Sequence, residues 1–235
     1  MNFEETFAQL RTLGTEPTRK TYQRHGSGPN TFGVSFAQYA ALKKQFVGRG
    51  KDKNHAHQVA KQLWDTQNID AQSLATMLAD PQQLTETQAE AWARDVHYHA
   101  LADLLAGLIA QTPIAQAKLA QWTTEPGEMR QRLGYTLLSR LALDDKALPD
   151  AYFDKWLPPL EAGISQAPNR AKEAMNTALI SIGSRSPLLR DLVEQAAGRI
   201  GVVVIDHGDT NCQTFDIREY LGRVWDRKAK QAAKK

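Results

Sequence analysis

The sequence predicts an all-α fold built from stacked helical pairs, and three observations carry that prediction. Apolar residues recur at helical period in several segments, and hydroxyl residues sit three positions ahead of glutamines at helix starts. Leucine-rich segments also return every 30 to 40 residues or so. Only Val202-Val203-Val204-Ile205 reads as a strand, and a single short strand cannot make a sheet.

The expected helices cover 2–13, 36–47, 54–66, 70–79, 86–95, 99–111, 113–123, 128–143, 150–162, 170–183, 187–199 and 215–228. Ser35 with Gln38, and Thr85 with Gln88, fit capping boxes that satisfy orphan N–H groups at the second and fifth starts. Leu101, Leu104, Leu105 and Leu108 form the apolar stripe of helix 99–111. Thr112-Pro113 and Ser186-Pro187 place a cap ahead of a proline at the first helical position, where its missing N–H does no harm. Leu133, Leu137 and Leu141 mark helix 128–143, while Ala171, Ala174, Met175, Ala178, Leu179 and Ile182 mark helix 170–183. Asn169 and Thr214 are the expected caps of 170–183 and 215–228.

The recurring segments are LATML at 74–78, LADLLAGLI at 101–109, LGYTLLSRLAL at 133–143 and MNTALISIG at 175–183. Their spacing suits a HEAT-like solenoid of antiparallel helix pairs with a concave face, and an irregular helical bundle is the alternative. No linker is rich in Gly, Pro or Ser. One domain over 1–227 is therefore expected, followed by a basic tail at 228–235.

A chain of 235 residues can bury a core without disulfides or metal, and Cys212 is its single cysteine. A reducing, cytoplasmic setting fits. The longest apolar stretch, 104–110, falls far short of the roughly twenty residues of a membrane span. The start MNFEETFAQL lacks the basic-then-apolar pattern of a signal peptide. No membrane partner is expected.

The formal charge of +3 is unevenly spread. Residues 11–61 carry a balance of +8, residues 62–217 one of −8, and residues 218–235 one of +5. Basic ends around an acidic middle suit a polyanion held from the termini, and solvated helix faces with a frayed tail account for the same pattern.

Few residues read as chemistry by themselves. His99 and Asp103 are i, i+4 neighbours off the leucine stripe, with Gly107 leaving room for close approach. Arg132 is expected on a polar side with Thr136 and Ser139, where a guanidinium can fork onto a phosphate. Lys172, Glu173, Asn176 and Thr177 lie off the apolar stripe of their helix, and Arg170 and Lys172 stand near its start, where backbone N–H groups favour an anion. Each of these is equally a solvated surface residue. Asp206-His207-Gly208-Asp209-Thr210-Asn211-Cys212 holds metal-ligand types, but a turn explains Asp, Gly and Asn without a metal. His55 and His57, two apart on a helix, point to different faces and are no chelating pair. No cofactor is expected, since the chain has no Walker loop, GxGxxG or GxSxG.

The strings RKTYQRHG (19–26), FGVS (32–35), LATMLADP (74–81), APNRAKEAMNTALISIG (167–183) and DHGDTNCQTFD (206–216) carry a resemblance. The chain resembles the AlkD-like DNA alkylation repair family, HEAT-repeat proteins that include monofunctional alkylpurine DNA glycosylases. The likeness extends to about residue 225. It implies that Asp103, in HYHALAD, and Arg132, in MRQRLGY, match the family's acid and arginine. His99 and Thr177 stand where the family has its two tryptophans.

The resemblance further implies hydrolysis of the N-glycosidic bond of N3- or N7-alkylpurines in duplex DNA. Such bases are already cationic, so the protein's part is to stabilise positive charge growing on the deoxyribose and to position water. Asp103 is the expected catalytic carboxylate, with Arg132 and His99 beside it. Lys43, Lys44, Arg132, Arg170, Lys172 and Thr177 are the expected DNA contacts of a monomer acting in base excision repair. The missing tryptophans motivate the other reading, a non-catalytic module for damaged, bent or branched DNA.

Overall fold

The computed structural model describes residues 1–48 and 50–233, so Arg49 of the basic stretch and Lys234–Lys235 of the expected tail lie outside the described residues. Among these residues there are fourteen α-helices and no strand. The Val202–Ile205 run is not a strand. It has no pairing partner, and Val202 is 85% exposed. The chain divides into two compact units, one of residues 1–116 with 208–210 and one of residues 117–207 with 211–235.

The first unit contains α1 (Phe3–Leu13), α2 (Glu16–Arg24), α3 (Phe36–Phe46), α4 (Lys53–Asp65), α5 (Ile69–Leu78), α6 (Glu86–Asp95) and α7 (His99–Ile109). The helix α5 is its axis, packing on α4, α3, α1 and α7. Ile69, Leu74 and Leu78 of α5, Val59, Leu63 and Trp64 of α4 and Leu101 and Leu105 of α7 are all buried, in a core that excludes water. The capping box at Ser35 is present, with Gln38 accepting from the Ser35 N–H, and Thr85 caps α6.

The helix α2 has no counterpart among the expected elements because it buries no residue and so shows no apolar stripe. It is held instead by backbone. The Thr15 N–H donates to the Gly33 carbonyl, and a Cβ at Gly33, whose φ is +83°, would collide with the backbone of Arg19 and Thr15. Only glycine fits there, which accounts for the Gly of FGVS.

That loop is pinned by Asp70, a carboxylate with 0% exposure in the first turn of α5. Its Oδ2 accepts from the Thr31 hydroxyl at 2.7 Å and from the N–H groups of Phe32 and Gly33. Its Oδ1 accepts from the Val34 N–H and the Tyr39 hydroxyl, both at 2.7 Å. Burial, and next the Asp70 charge, push the Tyr39 phenol well above its ordinary value. Tyr22 of α2 donates to the Val34 carbonyl, closing the link from Asp70 through the loop to α2.

The second unit contains α9 (Glu128–Asp144), α10 (Asp150–Asp154), α11 (Leu157–Gly163), α12 (Asn169–Gly183), α13 (Pro187–Ile200) and α14 (Ile217–Ala232), while α8 (Ala115–Trp122) spans the division. The helices α9 and α12 form its most extensive pair, and α13 and α14 also pack on α12. Between α9 and α12 the Ser139 and Ser181 hydroxyls satisfy each other at 2.7 Å, both buried.

Several boundaries differ for local reasons. The expected helix 150–162 is two helices, because Pro158 and Pro159 lack the N–H groups that would continue the first. Thr112 does not cap. Its hydroxyl turns back onto the Ile109 carbonyl, and α8 starts at Ala115. Asp216, not Thr214, caps α14 through the Glu219 N–H. The helix then runs to Ala232, taking in residues 228–232.

Candidate nucleic-acid interface

In the first unit, α7 opens with His99 and carries Asp103 one turn later, both half-buried and on one face as their spacing predicts. Leu101, Leu105 and Leu108 hold the helix to the core, whereas Leu104 is only half-buried. The His99 ring lies in an aromatic cluster the sequence reading missed. Its centroid is 4.9 Å from that of Tyr98 and 6.0 Å from that of His25, and Tyr22 lies 6.5 Å from Tyr98.

His25 is the C-terminal cap residue of α2, so the unanticipated helix is what brings this imidazole to His99. The same helix exposes Arg19, Lys20 and Arg24, with Arg19 and Lys20 paired to Glu16 on the surface. Lys43 and Lys44 are exposed in the last turn of α3. The string RKTYQRHG is thus a basic helix ending in a ring beside His99.

In the second unit, Arg132 is not on a solvent-facing polar side. It is 5% exposed, and Ser139 is buried as well, because α9 buries residues around most of its circumference in that stretch. The Arg132 Nη1 donates to the Glu173 carboxylate at 2.7 Å and to the Arg170 carbonyl at 3.1 Å. Arg170 reaches the same Glu173 oxygen at 3.2 Å, and its N–H donates to Glu128 at 2.6 Å. Burial pushes the Glu173 carboxyl up, but the charges and hydrogen bonds of Arg132 and then Arg170 outweigh it and hold the group below its ordinary value. Lys172 is half-buried next to this cluster, and Thr177 is exposed with its hydroxyl on the Glu173 carbonyl.

One face of α12 also explains the DHGDTNCQTFD segment. Asn169 makes two hydrogen bonds to the Asp206 backbone, Glu173 faces His207 Nδ1 at 3.9 Å, and Asn176 donates to the Phe215 carbonyl at 3.0 Å. Positions 169, 173 and 176 follow i, i+4, i+7, so a single helix face straps the loop 201–216. His207 bonds Thr214 at 3.1 Å within the loop. Among the described residues no group of three or more His, Cys, Asp or Glu could hold a metal ion. No described helix is long and apolar enough to cross a membrane.

The structure therefore gathers His99 and Asp103 in one unit, with Lys43 and Lys44 on another helix of that unit. Arg132 and Arg170 meet at the Glu173 carboxylate in the other, where Lys172 and Thr177 lie on the same helix. The sequence model of the DNA alkylation repair enzyme family matches residues 6–200. The chain belongs to that family.

Its relatives include two uncharacterized proteins of Listeria. Lin0241 of Listeria innocua serovar 6a and Lmo0209 of Listeria monocytogenes serovar 1/2a are each 23% identical over 229 residues, covering 97% of this chain and 99% of theirs. Among solved structures, one described as "a new family of proteins related to the HEAT-like repeat DNA glycosylases with affinity for branched DNA structures" superposes with a TM-score of 0.86. It is 23% identical, and the match covers 97% of this chain and 95% of that one. This likeness shows the fold, an all-α HEAT-like repeat, as the helix periods predict.

Proposed function

We propose that this member of the DNA alkylation repair family is a monomeric cytoplasmic protein. It binds duplex DNA and hydrolyses the N-glycosidic bond of cationic N3- and N7-alkylpurines. The observation that carries the reading is the pairing of Asp103 with a rebuilt aromatic surface. His99 stands where the family has a tryptophan, and the half-buried His25 ring lies beside it with Tyr98 buried against it, so imidazole faces remain one turn from the carboxylate.

In this reading Asp103 is the catalytic group. Its carboxylate stabilises the positive charge that develops on the deoxyribose as the bond to the base breaks, and it holds the attacking water. A preorganised electrostatic partner of this kind contributes about 3–4 kcal/mol where one has been removed elsewhere. The His99 ring offers the alkylated base a planar face to lie against. Lys43, Lys44, Arg170, Lys172 and Thr177 hold phosphates and set register. Arg132, tied down by Glu173, acts chiefly by holding the start of α12 in place. The test is base release from methylated duplex: Asp103→Asn abolishes it while leaving duplex affinity within about twofold.

Thr177 favours a second reading. It stands exposed where the family has a tryptophan and offers no aromatic face. A non-catalytic protein that binds branched DNA, for which the structural relative's description states an affinity, is the outcome if neither protein releases base.

A further inference from the structure

The second unit contains a cavity of about 320 Å³ that lies apart from the Glu173 cluster. Asn176, Ala197, Val203, Phe215 and Ile217 line it, with Arg218 at its edge. The walls mix apolar side chains with the polar Asn176, Thr214 and Asp216, and the volume is at the small end of the roughly 300–1,000 Å³ typical of ligand pockets. That is room for one ring system and little more.

The decisive feature is Asn176. Its residue is 3% exposed, and its Nδ2 donates to the Phe215 carbonyl at 3.0 Å, which fixes the amide orientation. The Oδ1 is then a buried acceptor with no hydrogen-bond partner. Buried polar atoms are nearly always satisfied, so an orphan acceptor on a side chain that borders a cavity points to a donor that arrives with a ligand.

The edge is organised too. Arg218 donates through Nε and Nη2 to the Glu194 carbonyl, lying across Gly198, where a Cβ would collide with the guanidinium. These bonds anchor the Nε–Nη2 edge of the guanidinium at the rim of the cavity. Phe215 is 52% exposed and presents a ring beside the cavity.

We propose that this cavity receives a single unpaired base of a bound DNA strand. An N–H of the base donates to Asn176 Oδ1, its π face lies on Phe215, and Arg218 holds the adjoining phosphate. Every nucleobase carries an N–H donor and a π face, and base stacking on an aromatic side chain tolerates any sequence. A paired base is stacked within the duplex and cannot enter the cavity, so the site selects the unpaired bases that branch points and bulges supply. The inference rests on the DNA-binding part of the reading above and not on catalysis.

The test uses the full chain and a three-way DNA junction with one unpaired 2-aminopurine, compared with a paired duplex of the same length. Binding by the wild type changes the 2-aminopurine fluorescence, and the protein prefers the junction. Asn176→Leu and Phe215→Ala each reduce that preference about tenfold, leaving duplex affinity unchanged. If circular dichroism shows Asn176→Leu unfolded, Phe215→Ala decides alone, since its side chain is half exposed. A preference retained in the folded variants, or junction binding with no fluorescence change, overturns the proposal. Binding of neither DNA overturns the DNA-binding reading and the proposal with it. A Phe215-dependent fluorescence change from the free 2-aminopurine deoxyriboside, with none from the junction, assigns the cavity to a free nucleoside and overturns the DNA source.

Discussion

Asp70→Asn is the substitution whose cost the structure defines best. The carboxylate is fully buried and takes five donors, three on Oδ2 and two on Oδ1. An asparagine keeps one oxygen, and three donors against two place it on the Thr31–Gly33 side. Its NH2 then faces the Val34 N–H and the Tyr39 hydroxyl. The hydroxyl can rotate to accept, but the amide cannot, so one buried N–H is orphaned at about 1–3 kcal/mol. The three remaining hydrogen bonds lose their charge assistance, which adds roughly 1–2 kcal/mol in all. The total is about 2–5 kcal/mol, a large part of the roughly 5–15 kcal/mol that stabilises an ordinary domain.

Urea denaturation followed by far-ultraviolet circular dichroism measures this, with Tyr39→Phe as the comparison. That variant removes one of five donors and should cost about 1 kcal/mol. Because the pinned loop holds α2, amide hydrogen exchange in residues 16–24 should also accelerate in Asp70→Asn. A cost of 1 kcal/mol or less, or unchanged exchange in α2, refutes the assignment of Asp70 as the pin.

Three further outcomes follow from the same geometry. His25→Ala lowers base release several-fold without changing the melting temperature by more than a degree or two, and an unaltered rate would remove His25 from the site. Arg170→Ala weakens duplex binding and lowers the slope of log affinity against log salt by about 1, the value for one lost phosphate contact, whereas an unchanged slope places Arg170 off the DNA. Glu173 has a depressed pKa, so its stabilisation is complete above the ordinary value of 4.5 and is lost as pH falls toward the folded value. Urea midpoints between pH 6 and 3 should therefore drop more steeply for wild type than for Glu173→Gln, and parallel curves would contradict the Arg132–Glu173–Arg170 network.

The sequence made some of this legible and hid the rest for identifiable reasons. The stripes of α7, α9 and α12 are visible because Leu, Ala and Met recur there at helical period on positions that are buried, all but the half-buried Leu104. The helix α2 buries nothing and is held by the Gly33 backbone, so no periodicity reveals it, and with it went His25. Period assigned Arg132 to solvent because it assumes one buried face, whereas α9 is buried around most of its turn at that point. A buried arginine is tolerable only when paired, and Glu173 lies 41 positions away in sequence. The strap between α12 and the loop 201–216 likewise joins residues 34 to 39 apart, beyond any local pattern. The i, i+4, i+7 spacing of Asn169, Glu173 and Asn176 was the one signal that could have suggested it.

The central claim is that Asp103 breaks glycosidic bonds in a site whose tryptophans have been replaced. The most direct measurement is release of 7-methylguanine from methylated duplex DNA, under single-turnover conditions at low salt, by wild type and Asp103→Asn in parallel. Release by the wild type, reduced at least about a hundredfold in the variant, is the predicted result. Equal rates in the two proteins, or no release from either while both still bind DNA, would contradict it.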